Sequence, residues 1–374
     1  MDLPGSKEKN DQHHLKNKKM KKFFLNPTLP VVLMILFTGM IIISCDNNKK
    51  TSTMQPAKLY VANEEGSSVS IIDLQDSLKN TSIDISDMGK MLMAHNVQVA
   101  PDGKTVWVTA VPMDTNGINQ LVVIDANTGT IKTRVQLGKD LHVAHVVLDN
   151  ESKYAFVTAK DPSQVIQVDA TTYKVLRKFD LGTGHSPHGL RYANGKLYVA
   201  NMDAKSMSII NVADGRITDV PLGGVAVQTA ITQDGKFVFT SLYDTKEIVR
   251  YDLQSREIKR IALPAGAQGP IQLYATPDSK LLYVADQGEL MERPVSNKVF
   301  VIDIATAKVI NTIVVGNKAH GVVVSKDGKT VYVTNSIDNT VSVIDVATQK
   351  VTGTISVGKS PNGISYWFET GGMP

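Results

Sequence analysis

Four histidines, two glutamines and one asparagine recur at intervals of 40 to 50 residues along this chain of 374 residues. Each of them begins a short apolar segment, and the seven are His95, His145, His188, Gln228, Gln272, His320 and Asn362. Neutral imidazole binds Zn, Cu, Fe and Ni, and amide side chains hold polar ligands by hydrogen bonds. The pattern therefore predicts a ligand-binding site, provided that the fold brings these distant positions together.

The seven residues do not share one alignment register. His95, His188, His320 and Asn362 occupy the first of two adjacent positions, and the other three occupy the second: His145, Gln228 and Gln272. Successive residues of a strand point to opposite faces, so the second group joins the first only where a bulge shifts the strand. The first register predicts His95, His188 and His320 as ligands of a transition metal or a haem-type cofactor.

A second interpretation of the same residues stays open. The imidazoles stabilise tight turns and line a water-filled tunnel, and sevenfold spacing holds them too far apart for one ion at about 2.0–2.1 Å. In that case the residues bind a polar ligand or none.

The elements that carry these residues repeat seven times. An aromatic residue or Val stands in one strand, and a second strand follows that ends in Asp or Asn. The first-strand positions are Tyr60, Trp107, Phe156, Tyr198, Val238, Tyr283 and Tyr332, and the strand-ending residues are Asp73, Asp125, Asp169, Asn211, Asp252, Asp303 and Asp345. A period in the forties with several strands per unit predicts an all-β, seven-bladed β-propeller over residues 58–374.

Turn chemistry supports the four-stranded blade. Asp-Gly and Asn-Gly pairs such as Asp102-Gly103, Asn194-Gly195 and Asp327-Gly328 mark hairpins, because Gly tolerates positive φ. The repeated strand-ending Asp or Asn is predicted to accept backbone N–H bonds in the next turn and to have no catalytic role. The segment 364–368 has no partner strands after it, and is predicted to complete the first blade and close the ring.

The phrases Val331-Tyr332-Val333-Thr334-Asn335 and Ser342-Val343-Ile344-Asp345 resemble the YVTN-type β-propeller repeat family. The likeness covers residues 58–368, and blade 5 departs most, with Phe239-Thr240-Ser241. That family includes surface-layer proteins, envelope lipoproteins, the haem-binding propeller of a nitrite reductase class and lactonase-like propellers. The resemblance implies an architecture and leaves the chemistry open.

Two long loops and two further histidines adjoin the predicted ring. The loops 111–120 and 287–298 are predicted to overhang it with Met113, Asp114, Glu289, Met291, Glu292 and Arg293. His142 and His185 each precede a ring histidine by three residues. They are interpreted as solvated loop residues, with a second layer of the site as the alternative.

The N-terminal segment predicts export. Residues 1–22 are rich in Lys, an apolar run follows, and Ile42-Ile43-Ser44-Cys45 resembles the bacterial lipobox. We therefore predict a signal peptide over residues 1–44, with Met20 as an alternative start, and a tether over 45–57 that is lipidated at Cys45. A bacterial envelope location follows, facing the periplasm or the outside.

Charge and motif content narrow the function classes. Residues 1–50 carry nine Lys and four acids, which leaves 31 basic and 32 acidic residues for the remainder. Nucleic acid is therefore an unexpected partner. No nucleophile elbow, phosphate loop or haem-attachment motif is present, and no catalytic residue is nominated. The prediction is a binding propeller for a small ligand, cofactor or envelope protein. A redox or haem enzyme, a lactonase-like hydrolase and a structural surface module are the alternatives.

Overall fold

A computed structural model describes residues 57–76, 79–114, 116–368 and 371–372. The predicted signal peptide, Cys45 and almost all of the tether lie outside the described residues. Among the described residues, no helix is both long and apolar enough to span a bilayer.

The described chain consists of β-strands joined by turns and loops, with two 3-10 turns at Glu64–Gly66 and Leu290–Glu292. The strands, in chain order, are β1 (Lys58–Asn63), β2 (Ser68–Asp73), β3 (Asn80–Asp84), β4 (Leu92–Val99), β5 (Thr105–Pro112), β6 (Asn119–Asp125), β7 (Ile131–Gly138), β8 (Val143–Leu148), β9 (Tyr154–Ala159), β10 (Gln164–Asp169), β11 (Val175–Asp180), β12 (Pro187–Ala193), β13 (Lys196–Asn201), β14 (Ser206–Asn211), β15 (Ile217–Pro221), β16 (Ala226–Ile231), β17 (Phe237–Leu242), β18 (Glu247–Asp252), β19 (Ile258–Ala262), β20 (Pro270–Ala275), β21 (Leu281–Gly288), β22 (Val295–Asp303), β23 (Lys308–Val314), β24 (Ala319–Val324), β25 (Thr330–Asn335), β26 (Thr340–Asp345), β27 (Lys350–Ser356), β28 (Pro361–Phe368) and β29 (Gly371–Gly372).

The strands form seven antiparallel sheets, which are the seven predicted blades. Six sheets use four consecutive strands, from β4–β7 through β24–β27. The first blade combines both ends of the chain, in the order β29-β28-β1-β2-β3, and Val61 lies opposite Ile364. The C-terminal strand therefore closes the ring, as predicted, and it pairs the edge of β1 that would otherwise be exposed.

The core lies between neighbouring blades, where the repeated aromatic residues pack. Tyr60, Trp107, Phe156 and Tyr283 are fully buried. The prediction was wrong by one residue in blade 5. Asp252 pairs with Phe237 there, so the residue equivalent to Tyr60 is the fully buried Phe239 and not Val238. Burying such a side chain stabilises the fold by about 1.5–3 kcal/mol.

The strand-ending carboxylates are structural, as predicted. Asp125 Oδ1 accepts backbone N–H bonds from Asn127 and Thr128 at 3.0 and 2.9 Å, and Asp169 does the same for Thr171 and Thr172 at 2.9 and 2.6 Å. The Asn of the repeat also has a local role. Asn335 Nδ2 donates to Thr340 and Ser342 in the adjoining strand, both at 2.9 Å.

Candidate functional site

A bulge lies at the same place in the innermost strand of every blade. The pairing register shifts across Ala94/Asn96, Val143/Val146, Pro187/Leu190, Ala226/Thr229, Pro270/Leu273, Ala319/Val322 and, opposite β28, Val61/Asn63. Each bulge contains one of the seven predicted polar residues. An extra residue in one strand re-aims its side chains. The two registers of the sequence therefore meet at one level of the propeller.

A repeated hydroxyl holds several of these bulges and joins each to the next blade. Thr158 Oγ1 accepts the His145 backbone N–H at 3.0 Å and donates to the His188 carbonyl at 2.7 Å. Thr109 and Thr334 make the same two bonds in their own blades. Ser241 takes this role in blade 5, with bonds to Gln228 N and Ile271 O. The third residue of the Tyr-Val-Thr-Asn phrase thus positions the polar ring.

Three imidazoles converge at this level. His95, His145 and His188 have ring centroids 4.8 to 5.6 Å apart, and one ligand-capable nitrogen of each lies within 4.8 Å of the others. The sequence-based metal set was His95, His188 and His320. The structure brings the first two together with His145 rather than with His320.

In two of the three rings, Nδ1 faces a hydrogen-bond acceptor that fixes the orientation of the ring. His95 Nδ1 lies 2.8 Å from Glu64 Oε1, and the other carboxylate oxygen accepts a 2.8 Å bond from Asn362. His188 Nδ1 lies 3.0 Å from the Val227 carbonyl oxygen. A neutral imidazole that donates from Nδ1 keeps its lone pair on Nε2. His95 and His188 therefore both present Nε2 as an acceptor or metal ligand.

His145 has the opposite hydrogen-bonding pattern. Its Nδ1 lies 3.2 Å from Gln228 Nε2, while Gln228 Oε1 accepts the Thr229 backbone N–H at 2.8 Å. The amide must present its NH₂ group to the ring, so His145 Nδ1 accepts and Nε2 carries the proton. That Nε2 is buried and has no hydrogen-bond partner. The trio thus combines two lone pairs with one N–H donor.

The other predicted residues also carry buried polar atoms without partners. His320 Nδ1 bonds Gln287 Oε1 at 2.9 Å, which leaves Nε2 unpartnered. Among the described residues, Gln272 Nε2 and Asn362 Oδ1 are in the same situation. Buried polar groups normally have partners, so these atoms are available for a hydrogen bond that the described residues do not supply.

Burial keeps His145, His188 and His320 neutral. It lowers the pKa of His188 and of His320 to about 3, and lowers the pKa of His145 well below its usual value, with the neighbouring imidazoles acting in the same direction. Burial opposes the ionisation of Glu64, but hydrogen bonds from His95 and Asn362 outweigh it and lower the pKa of that carboxyl to about 2. At neutral pH the site therefore holds the Glu64 carboxylate together with the neutral imidazoles of His145, His188 and His320.

His95 and His188 face a cavity of about 170 Å³ at the mouth of the channel. Met93, His142 and Lys160 line it together with His95, His188 and Glu64. His142 borders this cavity, but its side chain is largely exposed, as predicted for a solvated loop residue, and its Nδ1 lies 3.3 Å from the Asp161 carboxylate. His185 does not, because its nitrogens face Gly182 O and Asp219 at 2.9 and 3.2 Å.

The two long loops differ in what they bring to the site. Arg293 donates to the carbonyl oxygens of Tyr243, Gln268 and Asp244, so it fastens its loop to blade 5 instead of overhanging the ring. Glu289 pairs with Lys318. Met113 lines a second cavity next to the mouth, with Met93 and His142. Gln287, predicted to begin the second loop, lies at the end of β21 instead and contacts the ring through His320.

Sequence reasoning missed Glu64, Met93 and Gln287. Glu64 directly follows the Tyr-Val-Ala-Asn strand, and an acid there was a usable signal. Met93 lies two residues before His95, a spacing that places both side chains on one face of a strand. Gln287 is the penultimate residue of β21, the second strand of blade 6, and carried no distinguishing signal.

Solved structures similar to this one share its fold at low sequence identity. A functionally unknown protein from Desulfotomaculum acetoxidans aligns with a TM-score of 0.66 and 16% identity, over 83% of this chain and 98% of that one. Virginiamycin B lyase from Staphylococcus aureus, in a catalytically inactive form with quinupristin, aligns with a TM-score of 0.63 and 15% identity, over 84% and 98%. Hydrazine synthase from Kuenenia stuttgartiensis aligns with a TM-score of 0.62 and 15% identity, over 73% and 92%.

At the level of sequence, no curated protein matches this chain significantly. The profile of the YNCE-like beta-propeller family matches residues 42–324 and 290–369. Those ranges contain every blade and all seven ring residues. The chain therefore belongs to the YNCE-like β-propeller family.

Proposed function

We propose that this protein is an exported, lipid-anchored propeller that binds a transition-metal ion at the histidine-bearing mouth of its channel. The observation that carries the proposal is the convergence of three imidazoles from three blades, two of them with Nε2 lone pairs. His95 and His188 are the proposed ligands.

The groups behind these two rings support the proposal. Histidines that bind metals usually donate their other N–H to a carboxylate or a backbone carbonyl, which fixes the ring and raises its basicity. Glu64 does this for His95, and the Val227 carbonyl does it for His188. Two nitrogens bound to one ion at about 2.0–2.1 Å lie no more than about 4.2 Å apart. The three rings offer nitrogens that lie within 4.8 Å of one another, a spacing close to that limit.

His145 has a different proposed role. Its Nε2–H is buried, unpartnered and directed by Gln228. A metal held by two imidazoles keeps open positions for a further ligand, and an oxygen of that ligand is a suitable acceptor for this N–H. The third imidazole then selects what binds to the metal.

The lining of the mouth favours copper. Imidazole suits Zn, Cu, Fe and Ni alike, whereas a thioether is a soft ligand that selects Cu(I). Met93 shares the mouth with His95, His142 and His188. Met113, about half exposed, lines the adjoining cavity together with Met93 and His142.

Purified apo-protein without a histidine tag tests the metal site. The chain is incubated separately with Cu(II), with Cu(I) under reducing conditions, with Zn(II) and with Ni(II), dialysed, and its bound metal is counted by mass spectrometry. We expect about one tightly bound copper ion per chain, and its loss in the double variant His95→Asn/His188→Asn. Asparagine retains an N–H donor for the Glu64 and Val227 oxygens, so the fold should persist, as near-UV circular dichroism would show.

The matched control is His185→Asn, because His185 is a histidine held outside the trio by Asp219. This variant should bind as much copper as the parent. Equal copper in the parent and in the double variant would refute the site, and so would the absence of any bound metal in the parent.

Anchoring is proposed from the sequence alone. Cys45 is the single cysteine of the chain and follows an apolar run. Expression of Cys45→Ala in a bacterial host should move the protein from the membrane fraction to the soluble fraction, measured by immunoblot after carbonate washing. Membrane retention equal to that of the parent would contradict lipidation.

A further inference from the structure

Arg191 lies near the end of β12, three residues beyond His188 and towards the hairpins that join the innermost strands to the second strands. Its Nη1 donates to the Leu190 carbonyl at 2.9 Å, and its guanidinium lies 5.9 Å from the centre of the Tyr274 ring. Among the described residues, no carboxylate forms an ion pair with it. The positive charge of Arg191 is therefore only partly compensated by the neighbouring groups.

Burial makes this arrangement costly. Burial lowers the pKa of Arg191 from its usual value, and the neighbouring group that opposes this is the Tyr274 phenol rather than an acid. Arg191 is partly buried, so it gives up part of its hydration without gaining a counter-charge, and the cation–π contact with Tyr274 replaces only part of what is lost. A guanidinium keeps its charge under these conditions, so the position calls for an anion.

Arg191 borders a cavity of about 120 Å³. Asn150, Asn194, Thr232, Gln233 and Tyr274 line it with Arg191, and no Asp or Glu does so. Amide, hydroxyl and phenol groups all donate hydrogen bonds. The cavity thus combines one uncompensated cation with neutral donors, and its turn residues place it at the end of the innermost strands opposite to the histidines.

We propose that this cavity is a binding site for an oxyanion, a carboxylate or phosphate group of a small molecule, with Arg191 as its charged receptor. The planar fork of guanidinium matches the two oxygens of either group. The site would admit a ligand from the hairpin face of the propeller and is independent of metal binding at the histidines.

Calorimetric titration of the purified protein with inorganic phosphate and with succinate, at constant ionic strength, tests this proposal. We expect one of the two probes to bind with a stoichiometry near one, and Arg191→Gln to weaken that binding at least tenfold. Arg191→Lys retains the charge without the fork and should give an intermediate affinity. Arg216→Gln is the control, because Arg216 is an exposed side chain paired with Asp214; it should leave the affinity unchanged.

Binding of neither probe, or equal binding by the parent and Arg191→Gln, would overturn the proposal. If Arg191→Gln does not fold, the parent protein still decides the question. In protein labelled with ¹⁵N-arginine, the Nε–Hε signal that is missing from Arg191→Lys should shift as the anion is added. A signal that stays in place up to saturating anion would show that Arg191 only packs against Tyr274.

Discussion

Individual imidazoles in this propeller differ through their Nδ1 partners. A carboxylate orients His95, a backbone carbonyl orients His188, and an amide NH₂ orients His145. These partners lie in three different segments of the chain, and none of them is recognisable from the histidine's own neighbours. The same residue type therefore supplies two acceptors and one donor within a single cluster.

At the residue scale, we expect Glu64→Gln to weaken copper binding. The amide of glutamine removes the negative charge beside His95. Its NH₂ group would also face either His95 Nδ1 or Asn362 Nδ2, which both donate to the Glu64 carboxylate. Losing such a supporting contact typically reduces metal affinity about 10- to 100-fold. Competition with a chromophoric chelator measures the change.

The matched control for that change is Glu65→Gln, since Glu65 is the next residue and pairs with the exposed Lys359 at 3.0 Å. The copper affinity of Glu65→Gln should equal that of the parent protein. Similar losses in both variants would show that Glu64 acts through general charge and not by positioning His95.

At the scale of the elements, the bulged innermost strand is the unit that builds the site. Its two central residues leave the regular pairing, and a Thr or Ser hydroxyl from the neighbouring strand holds one bulge and the next blade together. The hydroxyl is part of the repeat phrase, so the phrase that specifies the fold also positions the ring.

Thr158→Val tests that link. Valine has nearly the same shape but leaves the buried N–H of His145 and the carbonyl of His188 without their partner, at a cost of about 1–3 kcal/mol. We expect a lower urea midpoint together with weaker copper binding. The exposed turn residue Thr171 offers the control Thr171→Val, which should change stability by less than about 0.5 kcal/mol. Unchanged copper binding in a destabilised Thr158→Val would separate the hydroxyl from the site.

At the scale of the whole molecule, the ring encloses neutral imidazoles, and this makes stability depend on pH. The pKa of His188 and of His320 is about 3 in the folded protein and about 6.5 when exposed. Below pH 6.5 the unfolded chain takes up protons that the folded chain does not. The free energy of unfolding therefore decreases as the pH is lowered from about 6.5 to 3. Glu64, with a folded pKa of about 2, adds a loss in the same direction below about pH 4.5.

We expect the urea midpoint of the apo-protein to drop clearly between pH 7.5 and pH 5. Each of the two histidines contributes up to about 2 kcal/mol at pH 5, an upper value because water in the channel screens the charge. His320→Gln should flatten the decline, whereas His185→Gln should not. A decline of equal size in the parent and His320→Gln would show that other groups cause it.

The repeat sequence was sufficient to predict seven blades, the hairpin turns, the structural role of Asp125 and its equivalents, and ring closure by residues 364–368. These features follow from local rules, namely turn chemistry and the burial of one aromatic residue per blade, and they recur often enough to correct one another. Even there, blade 5 was one residue out of register, because Phe239 and Val238 satisfy the same pattern.

Only the tertiary structure decided which polar residues converge. A single residue of slip in each innermost strand moves a side chain between the channel and the blade interface, and the sequence does not state where the bulge lies. Closing the ring then set His145 beside His95 and His188, placed Glu64 behind one of them, and left Arg191 in a cavity without an acid. Contacts of this kind join positions that are tens to hundreds of residues apart, so they depend on the geometry of the assembled ring and not on any local signal.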